Sequence, residues 1–273
     1  MTNQQDSSHR TPALRRLAPH DRFGRLIERA DGVDFPFYNG SPVALSGAKW
    51  LLIWAATTVG YFALILIPQP NNWAAVIPRA LFVLIPLLAL GLCAGPAWRA
   101  LFRRVRGADV GAMFGFAALN LAVTLAVGPL IAKLFGSNAN PTVAETGAGG
   151  AWDTVGFFAG SAVQLLGEEL FTLLPFLAIL AILFQRAKLS RKTAIILAWV
   201  ISALWFGAAH LPTYGWNVAQ ALITIGSARF ALTLAFIRTK NIWVAAGAHI
   251  INDWFLFALA MILPGLAAAT FLG

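Results

Sequence analysis

The sequence predicts an all-α protein, a polytopic transmembrane helical bundle of about seven to eight spans. Three observations lead to this prediction: the composition, the lengths of the apolar runs and the positions of the basic residues. Of the 273 residues, 59% are hydrophobic and 11% are charged, whereas about 25% of residues are charged in an average soluble domain. The chain has too little polar surface to cover a water-soluble globule of its size, so we expect the lipid bilayer to be its environment.

Seven apolar runs are long enough to cross a bilayer, which needs about 20 residues of helix. They lie at 50–67, 73–95, 110–132, 154–185, 193–209, 218–237 and 242–272. The fourth and seventh runs are longer than one span requires, so we expect each to be tilted, kinked or divided into two segments. Division of one of them would add an eighth span.

Lysine and arginine residues fall in every second connection between these runs. The basic positions are those of the N-terminal segment, then Arg99, Arg103, Arg104 and Arg106, then Arg186, Lys188, Arg191 and Lys192, and finally Arg238 and Lys240. The connections at 69–72, 137–150 and 211–216 contain no lysine or arginine. Because basic connections tend to remain on the cytoplasmic side, we expect an integral protein of the bacterial cytoplasmic membrane with its N-terminus in the cytoplasm.

Residues 1–48 form a polar segment without the apolar core of a signal peptide, and we expect a cytoplasmic N-terminal tail there. The alternative is a short amphipathic surface helix around Asp21 to Ala30. Residues 49–273 are expected to form the transmembrane helical domain. The net charge of +9 is explained by the basic residues on one side of the membrane, so we expect no nucleic acid partner.

Five acidic or histidine side chains lie within otherwise apolar runs or directly after one: Glu168, Glu169, His210, His249 and Asp253. An unpaired charge at the centre of a bilayer costs roughly 2.5 to 3.5 kcal/mol on insertion scales, so such residues usually face a cavity or one another. Adjacent helical residues diverge by about 100°, so the two glutamates cannot both face one reacting centre. Carboxylates and histidines on three helices are the groups needed to activate a water molecule. The sequence therefore predicts a catalytic site inside the bundle.

Two pairs of residues four apart place a histidine beside a second group on one helix face. Phe206 precedes His210 in the fifth run, and His249 precedes Asp253 in the seventh. A carboxylate one turn from a histidine fixes the tautomer and orientation of the ring through a hydrogen bond to a ring nitrogen. We therefore expect Asp253 to orient His249.

These residues resemble the motifs of the CPBP family of intramembrane endopeptidases, which includes the CAAX prenyl proteases and bacterial proteins linked to bacteriocin processing and immunity. The family has a Glu-Glu pair with an arginine four places after the second glutamate, a Phe and a His four apart, and a His followed four places later by Asn or a similar residue. Here the motifs stand at Glu168-Glu169, Phe206 to His210 and His249 to Asp253, within residues 155–260. The first half of the chain is similar only as generic membrane helices.

Two positions depart from the family pattern. Leu173 stands where the first motif has arginine, and Asp253 stands where the last motif has asparagine. We predict that Arg229, near the middle of the sixth run, supplies the missing cation to Glu169 from a neighbouring helix. Snorkelling toward the headgroups is the alternative for an arginine, but Arg229 lies deep within its run.

The resemblance implies an intramembrane protease that hydrolyses peptide bonds of membrane-associated or lipidated proteins or peptides with an activated water. In that mechanism Glu168 is the general base, His210 helps to hold and polarise the water, and Glu169 is a structural or secondary acid. His249 and Asp253 stabilise the oxyanion of the tetrahedral intermediate. An ionised Asp253 has no proton to donate, so it acts through His249 or carries a proton.

A metalloprotease uses the same groups differently, with Glu168, His210 and His249 as ligands of a divalent ion such as zinc and an open position for water. The zinc signature His-Glu-x-x-His is absent from the sequence. We therefore expect a glutamic endopeptidase without a cofactor and keep a metallo-endopeptidase as the alternative.

A noncatalytic membrane protein is the rival interpretation, because in a transporter, an immunity protein or a scaffold the same residues bind an ion or join helices. Depth is the geometric difficulty for a catalytic site. The runs put His210 at the external end of its helix, Glu168 near the midplane and His249 nearer the cytoplasm. At about 1.5 Å per residue these depths differ by more than 10 Å, so tilt, a kink at Pro175 or a different helix boundary is needed.

Overall fold

The computed structural model describes residues 17–29, 31–144 and 150–263. Its α-helices are α1 (Gly47–Leu66), α2 (Val76–Ala94), α3 (Gly107–Phe135), α4 (Pro141–Ala144), α5 (Ala151–Ala181), α6 (Arg191–Ala209), α7 (Gly226–Thr239) and α8 (Ile242–Ile262). Seven helical segments in these ranges are long and apolar enough to cross a membrane, and no β-strand occurs there. The predicted all-α transmembrane bundle is therefore confirmed, with seven spans in the described ranges.

Three spans are extended by helical turns of another kind. A 3-10 helix at Gly95–Leu101 continues α2, a π-helix at Ile182–Arg186 continues α5, and a π-helix at Gln220–Ile225 leads into α7. The fourth span thus covers Ala151–Arg186 as one helical segment, which is longer than a perpendicular crossing requires. The seventh span ends at Ile262, and residues 264–273 lie outside the described ranges.

Serine caps fix the start of two helices at the end of the bundle that carries the basic connections, which we call the basic end. The Ser46 hydroxyl accepts a hydrogen bond from the backbone N–H of Lys49 at 3.3 Å, and α1 begins at the residue after this serine. The Ser190 hydroxyl accepts one from the backbone N–H of Thr193 at 3.2 Å at the start of α6. A cap of this kind is worth about 1 kcal/mol.

Helix α5 is the central helix of the bundle. In its most apolar stretch 83% of the residues are buried, against 11% in α3. It packs against α1, α2, α6 and α8, and side chains such as Leu174 and Leu177 are inaccessible. The helix continues through Pro175. Because α5 carries the glutamate pair, its central position places these carboxylates beside side chains of α7 and α8.

Part of the segment predicted as a tail is packed into the bundle. Phe35, Phe37 and Tyr38 are at most 1% exposed and belong to the same hydrophobic core as α5, α6 and α7. The predicted boundary at 48 counts this stretch as polar, yet three aromatic rings offer a large apolar area for burial. Residues 31–46 are therefore held against the basic end, although they belong to no transmembrane helix.

The amphipathic surface helix considered around Asp21 to Ala30 does not occur in the described part of that range. Residues 19–21 form a 3-10 helix, and residues 25–27 form a hydrogen-bonded turn. Residue 30 and residues 1–16 lie outside the described ranges.

A buried group of four charged residues fastens the part of the chain before α1 to the basic end. We call these residues, Glu28, Asp34, Arg191 and Lys240, the basic-end cluster. Arg191 donates from Nη2 to Oε1 of Glu28 at 2.7 Å and to Oδ1 of Asp34 at 2.9 Å. Lys240 donates to Glu28 as well. Burial by itself raises the pKa of Glu28, but hydrogen bonds from Arg191 and the charge of Lys240 bring it to about 2. Burial lowers the pKa of Lys240 to about 8, against the opposing effect of Glu28.

Candidate active site

The two glutamates of α5 face different surroundings. Glu168 lines a cavity of about 560 Å³ inside the bundle, whereas Glu169 is inaccessible and does not belong to the cavity wall. Gln164 lies one helical turn before Glu168 and donates from its Nε2 to Oε1 of that glutamate at 3.1 Å. The angle between adjacent helical residues produces this division, so Glu168 is the member of the pair that can meet a molecule in the cavity.

Arg229 of α7 is the cation beside Glu169. It donates from Nη1 and Nη2 to the two carboxylate oxygens of Glu169, each at 2.7 Å, and both side chains are 0% exposed. Its Nε donates to Oγ1 of Thr233 at 3.2 Å, and the guanidinium lies 5.1 Å from the centre of the Phe206 ring. A two-point contact between a guanidinium and a carboxylate fixes both groups. The motif position is occupied by Leu173, but Arg229 of α7 supplies the arginine that pairs with Glu169.

His249 of α8 connects this ion pair to the cavity. Its Nδ1 lies 2.8 Å from Oε1 of Glu169. A carboxylate bound to a guanidinium accepts hydrogen bonds and donates none, so Nδ1 is the donor. The other nitrogen, Nε2, lies 3.8 Å from Oε2 of Glu168 and 3.7 Å from Oδ2 of Asp253. These separations are longer than direct hydrogen bonds, and the ring orientation is set by Glu169 more directly than by Asp253.

His210 follows the last residue of α6 and lines the same cavity. Its Nδ1 lies 2.8 Å from the backbone oxygen of Phe206, and this carbonyl can only accept. Nδ1 is therefore the nitrogen that carries a proton, and in the tautomer with a single ring proton Nε2 is an acceptor. The Phe206 ring lies between the two histidines, with ring centres 4.5 Å from His210 and 6.5 Å from His249.

The large difference in depth expected among these residues is wrong. His210, Glu168 and His249 line one cavity, and the last two are within 3.8 Å of each other. The fourth span extends to Arg186, so Glu168 lies about as many residues from its basic end as His210 lies from the start of α6 at Arg191. The predicted runs end and begin within two residues of these positions, so the error lay in judging depth from the external ends of the helices; α5 continues through Pro175 without a break.

Asn252 is a cavity residue that the motif pattern missed. It donates from Nδ2 to Oδ1 of Asp253 at 2.9 Å, and it is 6% exposed. The signal was present in the sequence, because residue 252 follows His249 by three positions and residues three apart share a helix face. Asp253 therefore carries an amide neighbour on its own helix.

Tyr214 is a second cavity residue without a motif to predict it. Its ring lies 6.4 Å from that of His210 in a stacked arrangement, and its hydroxyl faces the amide of Asn140 at 3.5 Å. Burial, followed by the charge of Asp253, raises the pKa of Tyr214 above the ordinary range. Tyr214 thus keeps its hydroxyl proton at neutral pH.

The predicted metal ligands do not form a metal site as they stand. No group of three or more His, Cys, Asp or Glu side chains within the described ranges has the arrangement needed to hold an ion. Glu168 and His249 lie close together, with Nε2 of His249 3.8 Å from Oε2 of Glu168, and Nδ1 of His249 donates to Glu169 as a zinc-bound histidine donates to a second carboxylate. A third ligand at a suitable place is what the described residues lack.

The fold and the cavity define a polytopic helical membrane protein with carboxylate and imidazole groups gathered inside the bundle. Residues 150–255 match the family model of type II CAAX prenyl endopeptidase Rce1-like proteins. No curated protein and no solved structure matches the chain. The matched range contains Glu168, Glu169, Phe206, His210, Arg229, His249 and Asp253, all of the site residues predicted from the sequence. The resemblance to the CPBP and CAAX protease family is thus confirmed over this range, and it supports an intramembrane CAAX-type endopeptidase in general.

Proposed function

We propose that the protein is a glutamic intramembrane endopeptidase. It hydrolyses peptide bonds of membrane-associated or lipidated proteins or peptides with a water activated by Glu168 and His210. The observation that carries the proposal is that Glu168, His210 and His249 line one cavity within the range that matches the protease family. The basic end faces the cytoplasm of a bacterial cell, with the N-terminus on that side.

The chemical step begins with a water held between Glu168 and the free Nε2 of His210. Glu168 removes a proton from the water, and the water oxygen attacks the carbonyl carbon of the substrate. The carbonyl oxygen becomes an oxyanion. Glu168 then transfers the proton to the amide nitrogen as the carbon–nitrogen bond breaks. The products are a carboxylic acid and an amine, and no cofactor is consumed.

The oxyanion is stabilised by His249. When this ring is protonated, its Nδ1 donates to Glu169 and its Nε2 donates into the cavity, toward the oxyanion. Asp253 acts through His249, since its Oδ2 lies 3.7 Å from Nε2. Glu169 and Arg229 are positioning residues in this scheme, because Glu169 holds the ring at Nδ1 and Arg229 holds Glu169.

The test is cleavage of a pooled library of synthetic peptides and membrane-protein segments by the full chain purified in detergent. Wild type is compared with Glu168→Gln, each with and without a zinc chelator, and fragments are identified by mass spectrometry. Asp153→Asn is the matched control, because it removes a carboxylate on the same helix that does not line the cavity. We expect the control to cleave as wild type does and Glu168→Gln to be inactive, with no effect of chelator.

Each other outcome has a defined meaning. Loss of cleavage with chelator would assign the metallo-endopeptidase, with Glu168, His210 and His249 moving to bind the ion. No cleavage by any preparation, together with a less stable Glu168→Gln variant, would favour a noncatalytic immunity, transport or scaffold protein.

A further inference from the structure

Two buried amide side chains in the cavity wall each carry an oxygen that has no hydrogen-bond partner. Asn252 of α8 is 6% exposed and Asn120 of α3 is 3% exposed, and both line the cavity that also contains Glu168. Within the described residues, neither Oδ1 atom receives a hydrogen bond. Since buried polar atoms are nearly always partnered, the two oxygens indicate that the cavity is built for a molecule that supplies donors.

The neighbour of Asn252 fixes which end of its amide is free. Asp253 accepts a hydrogen bond on Oδ1 from Nδ2 of Asn252 at 2.9 Å, and an ionised carboxylate has no proton to give in return. The amide cannot turn over without losing this bond. Its Oδ1 is therefore held as an acceptor.

One face of α3 directs Asn120 to the same space. Asn120, Thr124, Gly128 and Ala132 recur every four residues and all line the cavity, as residues on one helix face do. Most of the remaining surface of α3 is apolar and exposed. The polar face of this helix thus serves the cavity and not the lipid.

We propose that Asn120 and Asn252 form an acceptor subsite for the main-chain N–H groups of an extended peptide segment beside the bond that is cleaved, an inference that rests on the proposed function. A peptide segment drawn out of a helix inside a membrane has N–H groups that no water satisfies, and these two oxygens accept from them. A purely hydrocarbon ligand would leave both oxygens without a donor. The asparagines are positioning residues, since neither contacts the reacting atoms.

The probe is one peptide from the library described above, selected by capture on immobilised full-length Glu168→Gln protein, which binds without cleaving. Depsipeptide versions replace one amide N–H at a time with an ester oxygen, which keeps the extended shape and removes the donor. Their affinities are measured on Glu168→Gln alone and with Asn252→Leu or Asn120→Leu added. Thr124→Val, one turn along the same face of α3, is the matched control.

We expect one ester position to weaken binding about 5-fold, the effect of a single hydrogen bond, and to have no effect once Asn252→Leu is present. The effect of an ester at a second position should disappear in the same way once Asn120→Leu is present. Thr124→Val should leave every ester effect unchanged. In the otherwise wild-type enzyme, Asn120→Leu should raise KM and leave kcat unchanged, whereas Asn252→Leu should raise KM and also lower kcat, because it removes the hydrogen bond to Asp253. If Asn252→Leu does not fold, the coupling to Asn120→Leu decides the question.

The subsite is overturned if every ester effect simply adds to the effect of the leucine variants, or if no peptide is captured at all. The asparagine oxygens would then be bound to water. Ester-sensitive binding without any cleavage by wild type would leave the subsite standing and reject the protease function. Cleavage without ester sensitivity would do the reverse.

Discussion

Arg191 at the basic end and Arg229 inside the bundle are both buried arginines bound by carboxylates, yet their surroundings differ. Around Arg191, both acids of the basic-end cluster are within 2.9 Å of the guanidinium, and the space is filled by aromatic rings. Behind the Glu169–Arg229 pair, by contrast, His249 presents Nε2 to two carboxylates at 3.7 and 3.8 Å across a cavity. Charges that are fully bonded hold segments together, whereas charges left at longer distances around a cavity are free to meet a substrate.

The largest effect separates the two adjacent glutamates. Glu168→Gln should lower kcat/KM by about 10²- to 10⁴-fold, the contribution of general acid–base catalysis, with an unchanged melting temperature in detergent. Glu169→Gln should instead lower the melting temperature, because it leaves Arg229 buried beside a neutral amide. Activity and thermal unfolding measured on the same preparations check both. Equal loss of stability in the two variants would contradict the division of roles.

The next effect concerns the pair itself. Arg229→Met should destabilise the protein by about 3 to 5 kcal/mol, since it leaves the Glu169 carboxylate buried without its cation. Adding Glu169→Met should restore much of that free energy, because two apolar side chains replace two charges. Thermal unfolding of the single and double variants measures the coupling. A stable Arg229→Met variant with normal activity would show that the pair is not needed.

A smaller loss is expected at the basic end, where Lys240 still contacts Glu28 when Arg191 is removed. Arg191→Met should cost roughly 3 kcal/mol of stability and leave kcat/KM of the folded protein unchanged. Lys192→Met is the control, because Lys192 is the exposed neighbour on the same helix. Loss of activity in folded Arg191→Met would mean that the basic-end cluster also serves the cavity.

The smallest effect is a dependence of stability on acid pH. Glu28 has a pKa of about 2 in the folded protein, below its ordinary 4.5, so its ionised form stabilises the fold above pH 4.5. This contribution is lost as the pH falls from 4.5 toward 2. The melting temperature should therefore fall less steeply over this range in Glu28→Gln than in wild type. Parallel curves for the two proteins would contradict the prediction.

The sequence was sufficient to predict the seven spans and the partner of Glu169. Both follow from the same physical fact: the bilayer requires long apolar helices and makes an unpaired charge costly. Arg229 was identifiable although it lies 60 residues from Glu169, because it is the arginine deep within a run near the motifs. Because an unpaired charge in the bilayer is unfavourable, a buried acid and a buried arginine can be paired from the sequence without knowing how the helices pack.

Other features depend on packing that the sequence pattern does not encode. Phe35 and Tyr38 lie in a polar stretch, and their burial depends on the shape of the basic end. The depth of His210 was misjudged because it was judged from the external end of its helix; counted from the basic end, His210 and Glu168 lie at the same level. Asn252 was overlooked because the family motif uses spacing four, and an amide at spacing three has the same access to the cavity.

The pairing of Glu169 with Arg229 also has a consequence for biogenesis. The ribosome synthesises α5 well before α7, so the nascent fourth span enters the membrane with an acid whose counter-ion is still 60 residues away. During that interval the fourth span carries an unpaired charge, which makes its transfer into lipid unfavourable. We expect a chain truncated after residue 215 to remain beside the insertion machinery, and addition of residues 216–240 to release it, as site-specific crosslinking of stalled chains would reveal. Release of the shorter chain at the same rate would contradict this order of assembly.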